Sequence, residues 1–379
     1  SNHEDDEQMS LLNHPADGML EQEDPEGIKA DGGHYSELSD RTRHYLGAVY
    51  MAAMGVCGLV LAAIGQVLSK LAQNLGMEAI DIGSVFLVRG LGAIIGAMLS
   101  AKLYVWFKGN VVMGVGLVLV AWIFLLIPYN KSYFMLHIYF MLLGVATAVT
   151  DTGCQIMTRK IHGKAAGPWL GANTVAFGMA GALVPLVDML THSTTMGLTV
   201  LSFVIAGVCV FVYTAPDPEP SESAVVRLPQ KPRDSRQGQG QHYRVEVLVS
   251  LMVFLFMGSK VAMTSYLYSF IDQSRMVDKE MKSSMLLLYW VCITVGRLLG
   301  VHDQRFVTNA TLPVHLFAHA LGATISMAMV IFFPHRSLAL WMGIAFFGLF
   351  NGPCVSYCYD LNHRLTQATE MSMVIVMLG

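Results

Sequence analysis

The chain has 379 residues, of which 54% are hydrophobic and only 13% charged, with a mean hydropathy of +0.51. That is too little charge to cover the surface of a water-soluble protein of this length, so a soluble enzyme is excluded as the first reading. The net charge of -3 is uneven: residues 1–40 hold twelve of the 27 acids and a single base, Lys29.

Residues 1–43 read as a disordered acidic cytoplasmic tail, because few large apolar side chains are present to offset the entropy of ordering. No apolar run follows a basic start, so the tail is not a signal peptide. The chain opens on Ser1 rather than Met, and the natural start is expected upstream. Glu7 through Leu11-Leu12 fits an acidic dileucine sorting pattern, and Tyr35-Ser-Glu-Leu38 fits a tyrosine-based one. Sorting adaptors are therefore expected partners, with a plasma-membrane or endosomal/lysosomal location.

Beyond the tail the apolar residues fall into blocks. Leu46 to Leu68 and Val111 to Tyr129 contain no Asp, Glu, Lys or Arg. Each block is close to the ~20 residues that a helix rising ~1.5 Å per residue needs to cross a bilayer. The pattern predicts ten complete helices at 46–69, 80–104, 110–129, 133–158, 166–190, 194–214, 245–271, 283–301, 311–333 and 338–363. An eleventh begins at Thr369 and is cut at Gly379. Residues 215–244, rich in Pro, Gly, Ser and charge, read as a flexible cytoplasmic linker. The expected fold is thus all-α and polytopic: a six-helix bundle over 44–214 and a second bundle over 245–379, truncated in helix 11. The chain is accordingly expected to be a fragment of a longer product or of an imperfect gene prediction.

Lys and Arg counted over the connections favour an N-terminus inside, with fourteen on the cytoplasmic side against six outside. Aligning Gly144 with Gly348 brings Cys154 onto Cys358 and Lys160 onto Arg364. That faint echo is what parallel repeats about an axis along the membrane normal leave.

Charges inside spanning helices are costly and are functional candidates by default. Three stand out: Arg89 in helix 2, Asp151 in helix 4 and Lys260 in helix 7. A carboxyl in low dielectric disfavours its charged form, which suits Asp151 to binding and releasing a proton. Two cations against one carboxylate also suit an anionic cargo. Arg297 and Asp360 fall near the inner interface, where a gate or loop contact is expected. Gln66, Gln155, Asn173, Tyr266, Tyr268, Tyr289 and Trp290 form an aromatic and amide set fit for a sugar, whose hydroxyls need donors and acceptors and whose faces stack on rings. Each taken singly also fits ordinary packing.

Gly92-xxx-Gly96 in helix 2, and Gly178 and Gly181 in helix 5, let backbones approach closely. They read as packing contacts or as sliding surfaces between rocking helices. The six cysteines all lie in apolar segments and read as packing thiols. No zinc, Ser-His-Asp or phosphate-binding constellation is legible, so neither an enzyme, a cofactor nor a nucleic-acid partner is expected.

Several segments resemble the branch of the major facilitator superfamily that holds the fucose permeases and the animal sodium-dependent glucose transporters. Helix 1 (GLVLAAIGQVLSKLAQNLG) looks like the family's Gly-Pro-containing first helix, with Gln66 where Pro is usual. Arg89-Gly-x-Gly92 and Gly96 match its Arg-Gly pattern, and Asp151-Thr-Gly-Cys-Gln155 is similar to its acid-Thr-small-small-Asn segment. Trp290 with Gly296-Arg297 resembles its helix 8, and GLFNGPCVSYCYDL its helix 10. The resemblance implies twelve helices around a central cavity, with helices 1, 4, 7 and 10 lining it. It implies transport of a hexose or similar small polar solute by alternating access, with H+ or Na+ as coupling ion and, in proton-coupled members, the position of Asp151 as coupling carboxylate. The chain departs where an acid is usual and Lys260 stands, and where Gly-Gly-Trp is replaced by Thr264-Ser265-Tyr266. An organic anion carrier using Arg89 and Lys260 is therefore the competing transport reading. A non-transporting membrane sensor or scaffold is the reading from a different class.

Overall fold

The computed structural model describes residues 39–78, 81–163, 166–218, 236–274, 281–303, 306–308, 310–333 and 336–366. The acidic tail with its sorting patterns, most of the linker, the eleventh helix and the side chains of Tyr268 and Arg364 lie outside the described residues.

Among the described residues eleven α-helices follow one another: α1 (Asp40–Leu75), α2 (Ser84–Trp106), α3 (Gly109–Leu126), α4 (Tyr133–His162), α5 (Ala166–Thr191), α6 (Thr194–Thr214), α7 (Arg236–Ser274), α8 (Met281–Asp303), α9 (Leu312–Phe332), α10 (Ser337–Asn351) and α11 (Cys354–Thr366). They supply ten segments long and apolar enough to cross a membrane, α10 and α11 together making the tenth. The chain is a multi-pass helical membrane protein.

The helix ends follow local chemistry. Gly76 takes the left-handed conformation (φ 67°), so its N–H reaches Gln73 and that of Met77 reaches Ala72, which closes the last turn of α1. Ser132 and Ser193 accept from the N–H groups of Met135 and Met196 and so start α4 and α6. Pro128 turns the end of α3 into a short 3-10 segment, Ile127–Tyr129.

Besides the start of α1 at Asp40, inside the stretch expected to be disordered tail, two expected boundaries move. The predicted helix at 338–363 is two helices, because Pro353 has no N–H to donate and its ring would strike the carbonyl one turn back. The second is the start of α7, at Arg236, inside the stretch expected to be linker.

Helix α1 is buried on nearly every side, against α4, α5, α6 and α7. Its glycines make this possible: Gly58 lies against the Phe177 carbonyl of α5, and Gly65 against that of Thr264 on α7. Around it, α2 packs on α4 and α3 on α6, while α8 packs on α10 and α9 on α10. Helices α5 and α8 face each other along their length.

The glycine pattern of helix 2 is a packing device. Gly92 and Gly96 sit on the carbonyls of Met141 and Val145 in α4, and Gly144 in return sits on that of Arg89. The same contacts recur between α8 and α10. Gly296 meets the Leu349 carbonyl as Gly96 meets Val145, and Gly348 meets Tyr289 as Gly144 meets Arg89. Each helix pair keeps one constant shift along the chain, and the shift for α4 onto α10 is the one that aligned Gly144 with Gly348. Any side chain at these glycines forces the pair apart. Gly96→Val is expected to cost about 1–3 kcal/mol, the usual range for overpacking. A lower Tm of the detergent-solubilised full-length protein would show it, whereas an unchanged Tm would mean that the α2–α4 contact is loose.

Candidate functional site

The break between α10 and α11 organises one side of the core. Lys260 on α7 is 3% exposed, and its ammonium donates to the Gly352 carbonyl at 3.3 Å. Next to it, Asn351 Nδ2 donates to Ser259 Oγ at 2.8 Å. Consecutive residues of α7 thus hold the two residues at the break. A lysine at the C-terminal end of α10 also complements the negative end of that helix dipole. Sequence reading singled out Lys260 as a cation in the bilayer but missed its partner. The Gly352-Pro353 pair was the signal that carbonyls would be freed there.

Arg297 on α8 reaches the other way. Its Nη1 donates to the Thr174 carbonyl of α5 at 2.5 Å, and its guanidinium lies 4.8 Å from the Phe177 ring centroid. It therefore bridges α5 and α8, in line with a gate or packing role, but it also belongs to a charge cluster that the sequence did not disclose. Asp151 on α4 feels the positive charge of Arg297, and Arg297 in turn faces Lys260 and Tyr289. Tyr359 on α11 is within reach of the same carboxylate. Gln155 donates to Asp151 Oδ1 at 3.1 Å, one turn along the same helix. Cys57 on α1 lies within electrostatic reach of both Asp151 and Arg89. Among the described residues no ion pair joins Asp151 to Arg89, Lys260 or Arg297. Arg297 thus lies within reach of Asp151 on one side and of Lys260 on the other, while Arg89 reaches the same region through Cys57.

A second feature is a set of buried polar atoms without hydrogen-bond partners. It includes Arg89 Nε, Asn173 Oδ1, Ser265 Oγ, Trp290 Nε1 and Asn351 Oδ1, while the Tyr289 and Thr264 hydroxyls have only each other. Buried polar groups are normally satisfied, so these atoms are the ones left to meet water or a polar guest. The groups come from α2, α5, α7, α8 and α10.

Individual candidates sort themselves by surroundings. Asn173 donates to Thr158 Oγ1 at 3.1 Å, tying α5 to α4. Trp290 is 1% exposed and covers Gly181, while Gly178 meets Thr294, so both glycines of α5 serve the contact with α8. Tyr266 is 38% exposed, and its ring lies 5.7 Å from that of Phe86 on α2. It sits at the junction of α2 and α7, apart from the charge cluster. Gln66 is also apart: it lines a small cavity between α1, α5 and α6.

At the end that carries Lys108 and Lys160 the start of the linker is anchored. Tyr50 Oη donates to Asn110 Oδ1 and Asn110 Nδ2 donates to the Ala215 carbonyl, each at 3.0 Å. The Asn110 backbone N–H, at the start of α3, bonds to Asp217. Burial raises the Asp217 carboxyl above the usual range, while Lys108 and Lys160 pull it back down. Asn110→Ala is expected to leave the Tyr50 hydroxyl and the Ala215 carbonyl unpaired, at about 1–3 kcal/mol for each buried orphan. Thermal unfolding of the full-length variant measures it, and a Tm equal to the parent's would assign the network no holding role.

Comparison with known proteins places these features. The family profile described as Major Facilitator Superfamily matches residues 48–379. Among curated proteins, the mouse "Sodium-dependent glucose transporter 1A" is 21% identical over 333 residues, covering 79% of this chain and 77% of that protein. The human "Sodium-dependent glucose transporter 1" is 18% identical over 332 residues, covering 77% of this chain and 62% of its relative. The chain thus spans less than two thirds of the human relative's length, and 64% of the frog one's. Among solved structures, a D-xylose-proton symporter superposes with a TM-score of 0.69 at 13% identity, over 88% of this chain and 86% of that one. A human organic anion transporter superposes at 0.61 with 14% identity, over 90% of each chain. These structural likenesses are likenesses of fold.

Proposed function

Because the chain belongs to the Major Facilitator Superfamily, we propose that it carries a small polar solute across a membrane by alternating access. Its two halves, 44–214 and 245–379, would rock about the α1–α7 and α5–α8 contacts. The proposal rests on one observation above the others: polar atoms without partners, and charges without direct ion pairs, lie buried on helices before and after the linker. A structural core would have satisfied them.

The first candidate cargo is a hexose or similar polyol. Tyr289, Trp290, Asn173, Gln155 and Asn351 offer ring faces, donors and acceptors. The sugar-transporting names among the relatives point the same way. Asp151 is the proposed coupling carboxylate, with H+ or Na+ as the coupled ion. The N-terminus is proposed to face the cytoplasm, with the acidic tail offered to sorting adaptors there.

One observation favours a second cargo. Arg89, Lys260 and Arg297 outnumber Asp151 among the charges buried in the spanning helices, a positive balance that suits an organic anion. Radiotracer uptake by the full-length protein, across sugars and organic acids with pH and sodium varied, separates the two. Uptake of neither class, together with no ligand-induced thermal shift, would remove the transport reading and favour a membrane sensor or scaffold.

A further inference from the structure

Helices α5 and α8 meet along one antiparallel seam. Gly171 packs on Val301, Gly178 on Thr294 and Gly181 on the Trp290 ring. Between the first two pairs, Arg297 donates to the Thr174 carbonyl. At the far end Ser283 Oγ donates to Asp188 Oδ2 at 2.7 Å, and beside it Ser284 Oγ lies 4.0 Å from Met189 Sδ. The contact residues of α5 fall at the spacing of a coiled-coil seam, and the pairs keep one register throughout. Because α5 precedes the linker and α8 follows it, the seam joins the two halves.

The two ends of the seam are held differently. At the end that carries Lys108 and Lys160, Gly171 meets the Val301 side chain, an apolar contact. At the opposite end the contact is a hydrogen bond to a carboxylate, about twice as strong as one between neutral groups. Asp188 is the only charged residue of α5, and it stands in the last turn, where the negative end of the helix dipole disfavours an acid. Ser283 stands in the first turn of α8, where the positive end of a dipole favours one. The carboxylate is thus better placed for the other half than for its own helix. Ser283 is 6% exposed, so water competes poorly for the bond. Pro185 has no N–H to give to the Gly181 carbonyl, so the turn that carries Asp188 is joined less firmly to the rest of α5.

We propose that Asp188 and Ser283 form a clasp that holds the two halves together at the end opposite Lys108 and Lys160, so that the apolar end of the seam is the one favoured to open. The clasp rests on the alternating-access reading and adds to it which end is favoured closed, and by which bond. Opening at the clasp end requires Ser283 to leave the carboxylate. Opening at the other end separates Gly171 from Val301 and leaves the clasp made. The glycines in between, Gly178 and Gly181, keep the helices close enough to act as the pivot.

Crosslinking of paired cysteines in the full-length protein tests the clasp without any cargo. Met189→Cys with Ser284→Cys reports on the clasp end, and Gly171→Cys with Val301→Cys on the other. The protein without either pair gives the background of its six native cysteines. With Asp188 and Ser283 in place, the oxidation rate of each pair is the reference. Ser283→Ala, and likewise Asp188→Ala, should slow the first pair by up to about tenfold, the worth of one charge-assisted hydrogen bond, and speed the second. Asp188→Asn keeps an acceptor oxygen and should fall between. An unchanged rate at the first pair in both alanine variants would overturn the clasp. So would a change in the same direction at both pairs, which marks loosened packing and no shift between the ends. An uptake assay that finds no cargo would remove the transport reading without altering these rates, so the two readings fail separately.

Discussion

Asp151→Asn is expected to abolish uphill accumulation of the cargo while leaving exchange across the membrane intact. The substitution keeps shape and hydrogen bonding, because the new amide oxygen can still accept from Gln155 as Asp151 Oδ1 does at 3.1 Å. What it removes is the carboxylate that Arg297 faces, and with it the capacity to take up and release a proton. Asp151 is not directly ion-paired among the described residues, so its loss strands no tightly held partner. The effect should therefore fall on coupling rather than on folding, unlike the breaking of a buried ion pair. Two measurements on vesicles carry the test. Net accumulation under an imposed proton gradient should fall to the level of the medium, and counterflow with preloaded cargo should stay within about twofold of the parent, well under 1 kcal/mol. Accumulation equal to the parent's would take the coupling role away from Asp151.

The clustering of charge around Asp151 shows where sequence reasoning reaches its limit. The membrane-spanning segments are legible because length and the absence of charge are local properties, and seven of the ten predicted helices end within about four residues of the observed ones. The α2–α4 crossing was legible for a similar reason: Gly92 and Gly96 sit one turn apart on a single face. Side-chain direction was not. Gln66 is in the right helix for a central cavity, but it points to α5 and α6 instead. Arg297 reads from the sequence as a gate or loop contact near the inner interface, yet on α8 it lies within electrostatic reach of Asp151 on α4. Lys260 was visible as an anomaly, while its partner lay 92 residues further on, at a helix break the hydropathy pattern runs straight through. The glycine contacts shared by α2–α4 and α8–α10 are an intermediate case. Only the contacts turn a faint alignment into a repeated geometry.

Lys260→Met is expected to separate the two cargo readings. Methionine keeps most of the length and apolar stem of lysine and removes the charge. In the anion reading the ammonium contributes a charge-assisted interaction with cargo, for which about 1.5–3 kcal/mol is typical, or roughly ten- to more than a hundredfold in uptake. In the sugar reading the same lysine chiefly caps the Gly352 carbonyl, so sugar uptake should change by less than about tenfold, the share of one neutral contact. The capping role has its own signature. Without it the carbonyl at the α10–α11 break loses its donor, and the Tm falls whichever cargo is correct. Thermal unfolding of the variant therefore sets the baseline against which uptake is judged. An anion uptake that drops tenfold beyond the sugar uptake, at a comparable amount of folded protein, assigns the cluster to anionic cargo. Equal losses in both would leave Lys260 as the residue that holds the helix break, and the hexose reading would stand on Tyr289, Trp290 and Asn173. Lys260→Glu sharpens the contrast, since it reverses the charge beside Arg297 and places there the acid that the family resemblance implies. Anion uptake should then be lost altogether, whereas any gain in sodium- or proton-dependent sugar uptake would mark Lys260 as the substitution that set this chain apart.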